Sequence, residues 1–176
     1  ARDAVREWVK KEVTPIIEDY SERAACPKHL FKGLAEIGAY GPSLPVEYGG
    51  GGMDEIAYGI IMSELERGDS GIRSMASVQG SLVMYPIYRF GSEEQKQKYL
   101  PKLGSGEYIG CFGLTEPDHG SNPSGMTTNF KDDGDHVILN GAKMWITNSP
   151  VADVAVVWAK NPEGRSEEHT SELQSH

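Results

Sequence analysis

The chain has 176 residues, 38% of them hydrophobic, and a formal net charge of −9 at pH 7. This length suffices to bury a core, whereas the negative charge disfavours nucleic acid and anionic membrane surfaces as partners. The sequence contains no apolar run long enough to span a bilayer and no signal-peptide pattern. We therefore expect a soluble protein with neither nucleic acid nor membrane among its partners.

Cysteine and histidine usage argues against a disulfide framework and against a metal site. The two cysteines, Cys26 and Cys111, lie far apart and are typical of ordinary reduced thiols. The five histidines have no metal-ligand spacing, so we expect no bound metal.

Residues 1–105 have the periodicity of a helical domain. Apolar residues recur at helical spacing from the start of the sequence and over residues 28–39, 53–67 and 72–89. Because this pattern is already under way at Ala1, we expect an upstream part to be missing. A further helix is predicted to begin at Ser92, whose hydroxyl can cap it while Gln95 reaches back, and to end before Pro101.

Residues 106–164 alternate between apolar and polar side chains, as β-strands do. Strands are predicted over residues 108–115, 126–130, 136–139, 143–147 and 154–159, with a turn at Asn140 and Gly141. The sequence therefore predicts an α+β fold, in which an N-terminal α-helical domain (1–105) precedes the first part of a β domain (106–164).

Residues 165–176 differ in composition from the rest of the chain. Eleven consecutive residues, RSEEHTSELQS, match the translated start of a common sequencing-library adapter. The alternative is a natural, acidic, disordered tail. We expect a non-native tail that is extended or irregular and makes no structural contribution.

Two chemistries can be weighed and set aside. The glycines at 49–52 could cradle a phosphate, but a dinucleotide site needs a strand directly before them, so a flexible connection is favoured. Cys111 and His119 could form a nucleophile and its base, yet a packed thiol beside a surface histidine is the commoner arrangement.

The stretch CFGLTEPDHGSNPSG, residues 111–125, opens like a strand and continues in small and polar residues. A surface turn or a helix N-cap would account for it on composition alone. Its core, GLTEPDHGS, occurs together with KMWITN at residues 143–148, and both resemble motifs of the acyl-CoA dehydrogenase family. Within that family the chain is most similar to the glutaryl-CoA dehydrogenases, over nearly all of residues 1–164.

The resemblance implies a flavoprotein of three domains. These are an N-terminal helical domain, a β-barrel-like middle domain and a C-terminal helical domain that is absent from this chain. FAD is the implied cofactor, bound between the last two domains and at a subunit contact. The implied flavin-binding residues are Phe112, Gly113, Leu114, Thr115, Gly120, Ser121, Trp145, Ile146 and Thr147. Without the resemblance, a tryptophan in a strand would be assigned to the core.

Two residues depart from the family pattern. His119 stands where a small residue is usual, and Asn122 stands where an aspartate is usual. We expect His119 to point outward, and we expect Asn122 to keep the shape of aspartate without its charge.

The implied substrate is an acyl-CoA thioester, and glutaryl-CoA in particular. In glutaryl-CoA dehydrogenases an arginine and a serine matching Arg73 and Ser74 bind the distal carboxylate, and a glutamate matching Glu66 helps to hold the arginine. Ser121 is implied near the CoA part. From spacing alone, Arg73 would be a surface residue at a helix start.

The implied reaction removes an α-proton, transfers a β-hydride to the flavin and decarboxylates the product to crotonyl-CoA. The base is a glutamate of the C-terminal domain, so no catalytic residue is assigned in this chain. Further implications are electron-transfer flavoprotein as acceptor, a homotetramer, a role in lysine and tryptophan degradation, and a cytoplasmic or mitochondrial-matrix location in bacteria or eukaryotes respectively. Two alternatives stay open: a dehydrogenase of the same family for another acyl chain, and a short non-catalytic protein that binds acyl-CoA or a subunit.

Overall fold

A computed structural model describes residues 2–161 and the backbone of residues 171–174. Its first part is helical, as predicted. The helices are α1 (Arg2–Trp8), α2 (Ile17–Glu22), α3 (Leu30–Glu36), α4 (Glu55–Gly68), α5 (Ser70–Ser77), α6 (Tyr85–Phe90) and α7 (Glu93–Gly104). Two π-helical segments, Val9–Val13 and Val78–Met84, follow α1 and join α5 to α6. None of these helices is long and apolar enough to cross a membrane.

Side chains at the helix starts explain where several helices begin. Asp54 accepts a hydrogen bond from the Ala57 amide before α4, and Asp69 accepts one from Ile72 before α5. The capping box predicted at Ser92 is confirmed, since the Gln95 amide donates to the Ser92 hydroxyl at 3.2 Å and the Gln95 side chain accepts from the Ser92 amide at 2.9 Å.

The expected end of α7 before Pro101 is wrong, because the helix continues through the proline to Gly104. Proline in a helix interior costs about 3 kcal/mol. Leu100 and Leu103 are fully buried on either side of it. Each buried leucine contributes about 1.5–3 kcal/mol, so packing offsets the lost helical hydrogen bond.

A buried carboxylate ties the first helix to the fourth. Arg6 donates to Glu64 through Nε at 2.9 Å and Nη2 at 2.7 Å, and Glu64 is only 5% exposed. The side-chain hydrogen bond from Arg6 lowers the pKa of Glu64. This fork fixes the start of the chain against the helical core.

The second part of the chain forms two small sheets, which confirms the α+β fold class. Its strands are β1 (Gly110–Gly113), β2 (Asn129–Asp133), β3 (His136–Asn140), β4 (Val154–Val157) and β5 (Ser171–Gln174). One sheet has the order β1-β4-β5, with β1 parallel and β5 antiparallel to β4, and the other is the β2–β3 hairpin.

Two strand predictions need correction. The hairpin turns at Gly134, which has a φ of 73°, rather than at Asn140 and Gly141. Residues 143–147 are not a strand, because Trp145 and Asn148 adopt left-handed backbone with φ of 62° and 69°. The Asn148 side chain donates to the carbonyls of Met75 and Gly110, which holds this turn in place.

The expectation that the tail makes no structural contribution is wrong for residues 171–174. They are extended, as expected, but they pair with β4 in the register Leu173 with Ala155. The edge of β4 presents N–H and C=O groups that any extended backbone can satisfy, so this pairing requires no particular side chains. The remaining tail residues lie outside the described part of the chain.

One buried amide joins the helices to the first sheet. Gln79 is 0% exposed, donates to the carbonyls of Leu103 at 2.9 Å and Tyr108 at 2.7 Å, and accepts from the Gly110 amide at 2.7 Å. The strand therefore starts where this side chain holds it.

Replacing Gln79 with leucine should lower the free energy of unfolding by about 2–4 kcal/mol, because the Gly110 amide and the Tyr108 carbonyl lose a buried partner. Denaturant unfolding monitored by circular dichroism measures the change. The matched control is Gln97→Leu on the exposed face of α7, which should change stability by less than about 0.5 kcal/mol. Equal effects of the two substitutions would contradict the role assigned to Gln79.

Candidate flavin and acyl-CoA site

The structure places residues 112–115 beside residues 143–147. The Met144 amide donates to the Thr115 carbonyl at 2.9 Å, and the Lys143 ammonium donates to the Leu114 carbonyl at 3.0 Å. Gly113 accepts from the Trp158 amide at 3.0 Å, which anchors the end of β1. The two segments to which the resemblance assigns the flavin are therefore neighbours.

Side chains of the first segment differ in exposure. Phe112 is half-buried and packs edge-on against Trp158, with ring centroids 6.2 Å apart. Gly113 is buried, and Leu114 and Thr115 are half-buried. This segment thus combines a core-facing aromatic ring with a partly accessible hydroxyl.

Trp145 does not belong to the core, contrary to what composition alone suggests for it. It is 85% exposed and held in left-handed backbone, while Ile146 is half-buried and Thr147 exposed. A large apolar side chain fixed in strained, exposed geometry is typical of a ligand contact rather than of packing.

Gly120 and Ser121 are exposed on the loop that follows β1. The residue pair Glu116 and His119 closes a tight turn just before them, by backbone hydrogen bonds of 3.1 and 3.2 Å. Apart from its two chain neighbours, no residue that the structure describes comes within 4 Å of a Cβ built on Gly120, so this backbone is open to close approach. No hydrogen bond within the described part of the chain joins Ser121 to Arg73 or Ser74.

We expected His119 to point outward, but the structure places it partly in the interior of the loop. It is half-buried, and a Cβ built on Gly125 would lie within 2.4 Å of its Nδ1 and 2.9 Å of the Asn122 amide nitrogen. His119 and Asn122, the two residues that depart from the family pattern, therefore both lie against Gly125. A side chain at position 125 would clash with them.

A cleft of about 590 Å³ lies between the helical part and the turn that contains Asn148. Ser74 and Thr147 both line it, so the structure brings together one residue assigned to the acyl-CoA and one assigned to the flavin. The other lining side chains include Tyr20, Cys26, Asp69 and Met75. Arg73 is adjacent in sequence but is not among the lining residues.

Arg73 pairs with Glu66. Its Nε donates to Glu66 at 2.7 Å and its Nη1 to the Ser77 hydroxyl at 3.4 Å, while the Ser70 hydroxyl also donates to Glu66. The hydrogen bond from Arg73, followed by that from Ser70, lowers the pKa of Glu66. The Arg73 side chain is 35% exposed, and its Nη2 makes no hydrogen bond within residues 2–161.

The loop after β1 contains a buried carboxylate, that of Glu116, to which the sequence analysis assigned no role. Glu116 is 3% exposed and accepts from the Thr127 amide and hydroxyl, the Thr128 amide and the Lys143 ammonium. Burial alone would raise the pKa of Glu116, but these hydrogen bonds outweigh it and hold the pKa well below its usual range. The two motifs contain this glutamate and this lysine, but neither motif shows that the two side chains meet.

Family models match both parts of the chain. That of the acyl-CoA dehydrogenase N-terminal domain matches residues 1–107, and that of the middle domain matches residues 111–173. The chain therefore belongs to the acyl-CoA dehydrogenase family, which confirms the family prediction.

Curated relatives include enzymes with different substrates. A glutaryl-CoA dehydrogenase of Desulfococcus multivorans is 39% identical over 158 residues, which is 88% of this chain and 41% of the relative. The human mitochondrial short-chain specific acyl-CoA dehydrogenase is 40% identical over 154 residues, which is 88% of this chain and 37% of the relative. The chain thus spans about two fifths of the length of these relatives.

Solved structures share the fold at higher identity. A glutaryl-CoA dehydrogenase of Mycobacterium smegmatis is 55% identical with a TM-score of 0.88, over 92% of this chain and 42% of that chain. A second structure from that organism, a glutaryl-CoA dehydrogenase in complex with FADH2, is 52% identical with a TM-score of 0.88 and the same coverage.

Substituting glutamine for Glu116 should lower the free energy of unfolding at pH 7 by about 2–5 kcal/mol, because Lys143 loses its buried partner. The folded-state pKa of Glu116 is depressed, so the wild-type advantage is fully present above the unfolded value of 4.5 and is lost progressively as pH falls from there toward the folded-state pKa. Denaturant unfolding of both proteins between pH 7 and pH 3 checks this.

The exposed Glu107, which pairs with Lys102 at 3.2 Å, supplies the matched control. Glu107→Gln should change stability little at any of these pH values. A difference between wild type and Glu116→Gln that stays constant from pH 7 to pH 3 would contradict an ionised, hydrogen-bonded Glu116.

Proposed function

We propose that this chain is part of an FAD-dependent acyl-CoA dehydrogenase that oxidatively decarboxylates glutaryl-CoA to crotonyl-CoA. The observation that carries the substrate is Arg73, which is held by Glu66 and Ser77 and whose Nη2 makes no hydrogen bond to the described residues. We assign removal of the substrate's α-proton to a glutamate base outside this chain, and no glutamate of this chain receives that role.

The flavin-facing residues suit a flat ring whose edge forms hydrogen bonds. Trp145 offers an exposed indole, Thr115 and Thr147 offer hydroxyls, and Gly120 offers open backbone. Bound there, FAD would supply the acceptor for a hydride from the β-carbon of the acyl chain. The chain's own residues would orient the ring against the surface that the two neighbouring segments form together.

Arg73 suits a dicarboxylic acyl chain because a guanidinium donates parallel hydrogen bonds to a carboxylate. Glu66 and Ser77 occupy Nε and Nη1, which restricts the rotamers of the side chain and leaves Nη2 for a ligand. Ser74, one residue further on, lines the cleft of about 590 Å³. A distal carboxylate seated near Arg73 would therefore place the rest of the acyl chain toward that cleft.

A second candidate is a dehydrogenase for short, uncharged acyl chains. It is favoured by the identity to the human short-chain enzyme, 40%, which matches the 39% to the glutaryl-CoA dehydrogenase of Desulfococcus. The two candidates differ in what they require of Arg73, since an uncharged acyl chain has no carboxylate to pair.

The implied partners belong to the same proposal. An electron-transfer flavoprotein is the proposed acceptor, and a homotetramer is the proposed assembly. A role in lysine and tryptophan degradation follows if the substrate is glutaryl-CoA.

Alanine at Arg73 should reduce kcat/KM for glutaryl-CoA by about 30-fold to several thousand-fold and leave that for butyryl-CoA nearly unchanged. The substitution leaves the distal carboxylate of glutaryl-CoA without its partner, whereas butyryl-CoA has no such carboxylate. Arg73→Lys should give an intermediate loss, because it keeps the charge without the fork. Steady-state kinetics of the full-length, FAD-loaded enzyme on both substrates measures the difference.

Arg89→Ala is the matched control, since Arg89 is exposed and lies 6.0 Å from the Phe90 ring centroid. It should leave both substrates unaffected. Equal losses on glutaryl-CoA and butyryl-CoA for Arg73→Ala would assign Arg73 to the fold or to the flavin. Wild-type preference for butyryl-CoA would favour the short-chain candidate.

A further inference from the structure

We propose that Glu116 and Lys143 are positioning residues that hold the two flavin-facing segments in a fixed arrangement, and so set the surface that Thr115 and Trp145 present to FAD. This inference rests on the proposed function. It adds a role to two residues that contact neither the acyl chain nor the flavin in that proposal.

The carboxylate of Glu116 joins three separate segments. It accepts from the Thr127 amide at 2.6 Å, from the Thr127 hydroxyl at 3.0 Å and from the Thr128 amide at 2.9 Å. Its fourth donor is Lys143 Nζ at 2.9 Å. One side chain therefore closes the loop of residues 116–128 at its far end and connects that loop to the segment before Trp145.

Lys143 continues the connection on the other side. Its ammonium donates both to Glu116 and to the Leu114 carbonyl, at 2.9 and 3.0 Å, and its side chain is only 12% exposed. The next residue, Met144, donates its amide to the Thr115 carbonyl at 2.9 Å. Thr115 directly precedes Glu116, and Trp145 lies two residues after Lys143, so each flavin-facing residue is within two positions of the ion pair.

A buried ion pair is a poor device for stability alone, because desolvation of the two charges cancels much of their attraction. Its advantage is geometric, since a carboxylate with four donors and a lysine with two acceptors admit few alternative arrangements. A polar loop with exposed Gly120 and Ser121 requires such a constraint if it is to present a preformed ligand surface.

The test uses the full-length enzyme with Glu116→Gln, Lys143→Met and the double variant. FAD affinity is measured by quenching of flavin fluorescence, and the visible absorption spectrum of the bound flavin reports its surroundings. We expect the Kd for FAD to rise about tenfold to a hundredfold in Glu116→Gln, with a shifted spectrum, and less in Lys143→Met. The double variant should lose less than the sum of the single losses, because the two residues act as a unit.

Glu64→Gln is the matched control for removal of a buried carboxylate. Glu64 is paired with Arg6 in the helical part, so this variant should lower the melting temperature while leaving the Kd for FAD and the flavin spectrum unchanged.

Two results would overturn the inference, and they are distinguishable. Wild-type enzyme that binds no FAD overturns the proposed function and, with it, the role of the pair. Wild-type enzyme that binds FAD, together with Glu116→Gln and Lys143→Met variants that keep its Kd and spectrum, overturns the positioning role alone. Should Glu116→Gln fail to fold, Lys143→Met gives the same decision, because it keeps an apolar chain of similar length.

Discussion

The structure depends on the amide side chain of Gln79. Its three hydrogen bonds, of 2.7–2.9 Å, join the π-helical segment to the end of α7 and to the first residue of β1. β1 then fixes β4 by parallel pairing from Gly110 with Val154. Asn148 adds a second connection from this junction, through the carbonyls of Met75 and Gly110. The cleft lined by Ser74 and Thr147 lies at this junction, so the same polar contacts that join the two parts also shape the candidate site.

Three buried polar side chains join segments that are distant in sequence. Glu64 joins α4 to α1, Gln79 joins the helices to the sheet, and Glu116 joins the loop after β1 to the segment before β4. In each case the residues joined are at least 24 positions apart in sequence. Apolar burial supplies most of the free energy of folding but is non-directional, whereas these contacts specify which segments meet and in which register.

Local signals in the sequence predicted most of the helical part and less of the rest. Periodicity and the Ser92–Gln95 capping box depend on neighbouring residues only, and the structure agrees with them. The predicted stop at Pro101 failed because burial of Leu100 and Leu103 is a tertiary effect that no local pattern reveals. The strand predicted at residues 143–147 failed for a similar reason. Its composition is compatible with a strand, but Trp145 takes left-handed backbone because Met144 and Asn148 are bound by other segments.

The candidate site shows the same division between motif and geometry. The two motifs predict a flavin site that residues 112–115 and 145–147 share, and this stays a prediction. The hydrogen bond from Met144 to Thr115 shows that the two segments are neighbours. Neither motif could predict that Glu116 and Lys143 meet, because their pairing depends on how 26 intervening residues fold. A glutamate and a lysine on a polar loop read as solvated charges until the fold buries them. Once they are buried, each needs the other as a partner, since an unpaired charge at either position would be strongly destabilising. The requirement that each satisfy the other therefore constrains the loop between them, and with it the surface that Thr115 and Trp145 present to a ligand.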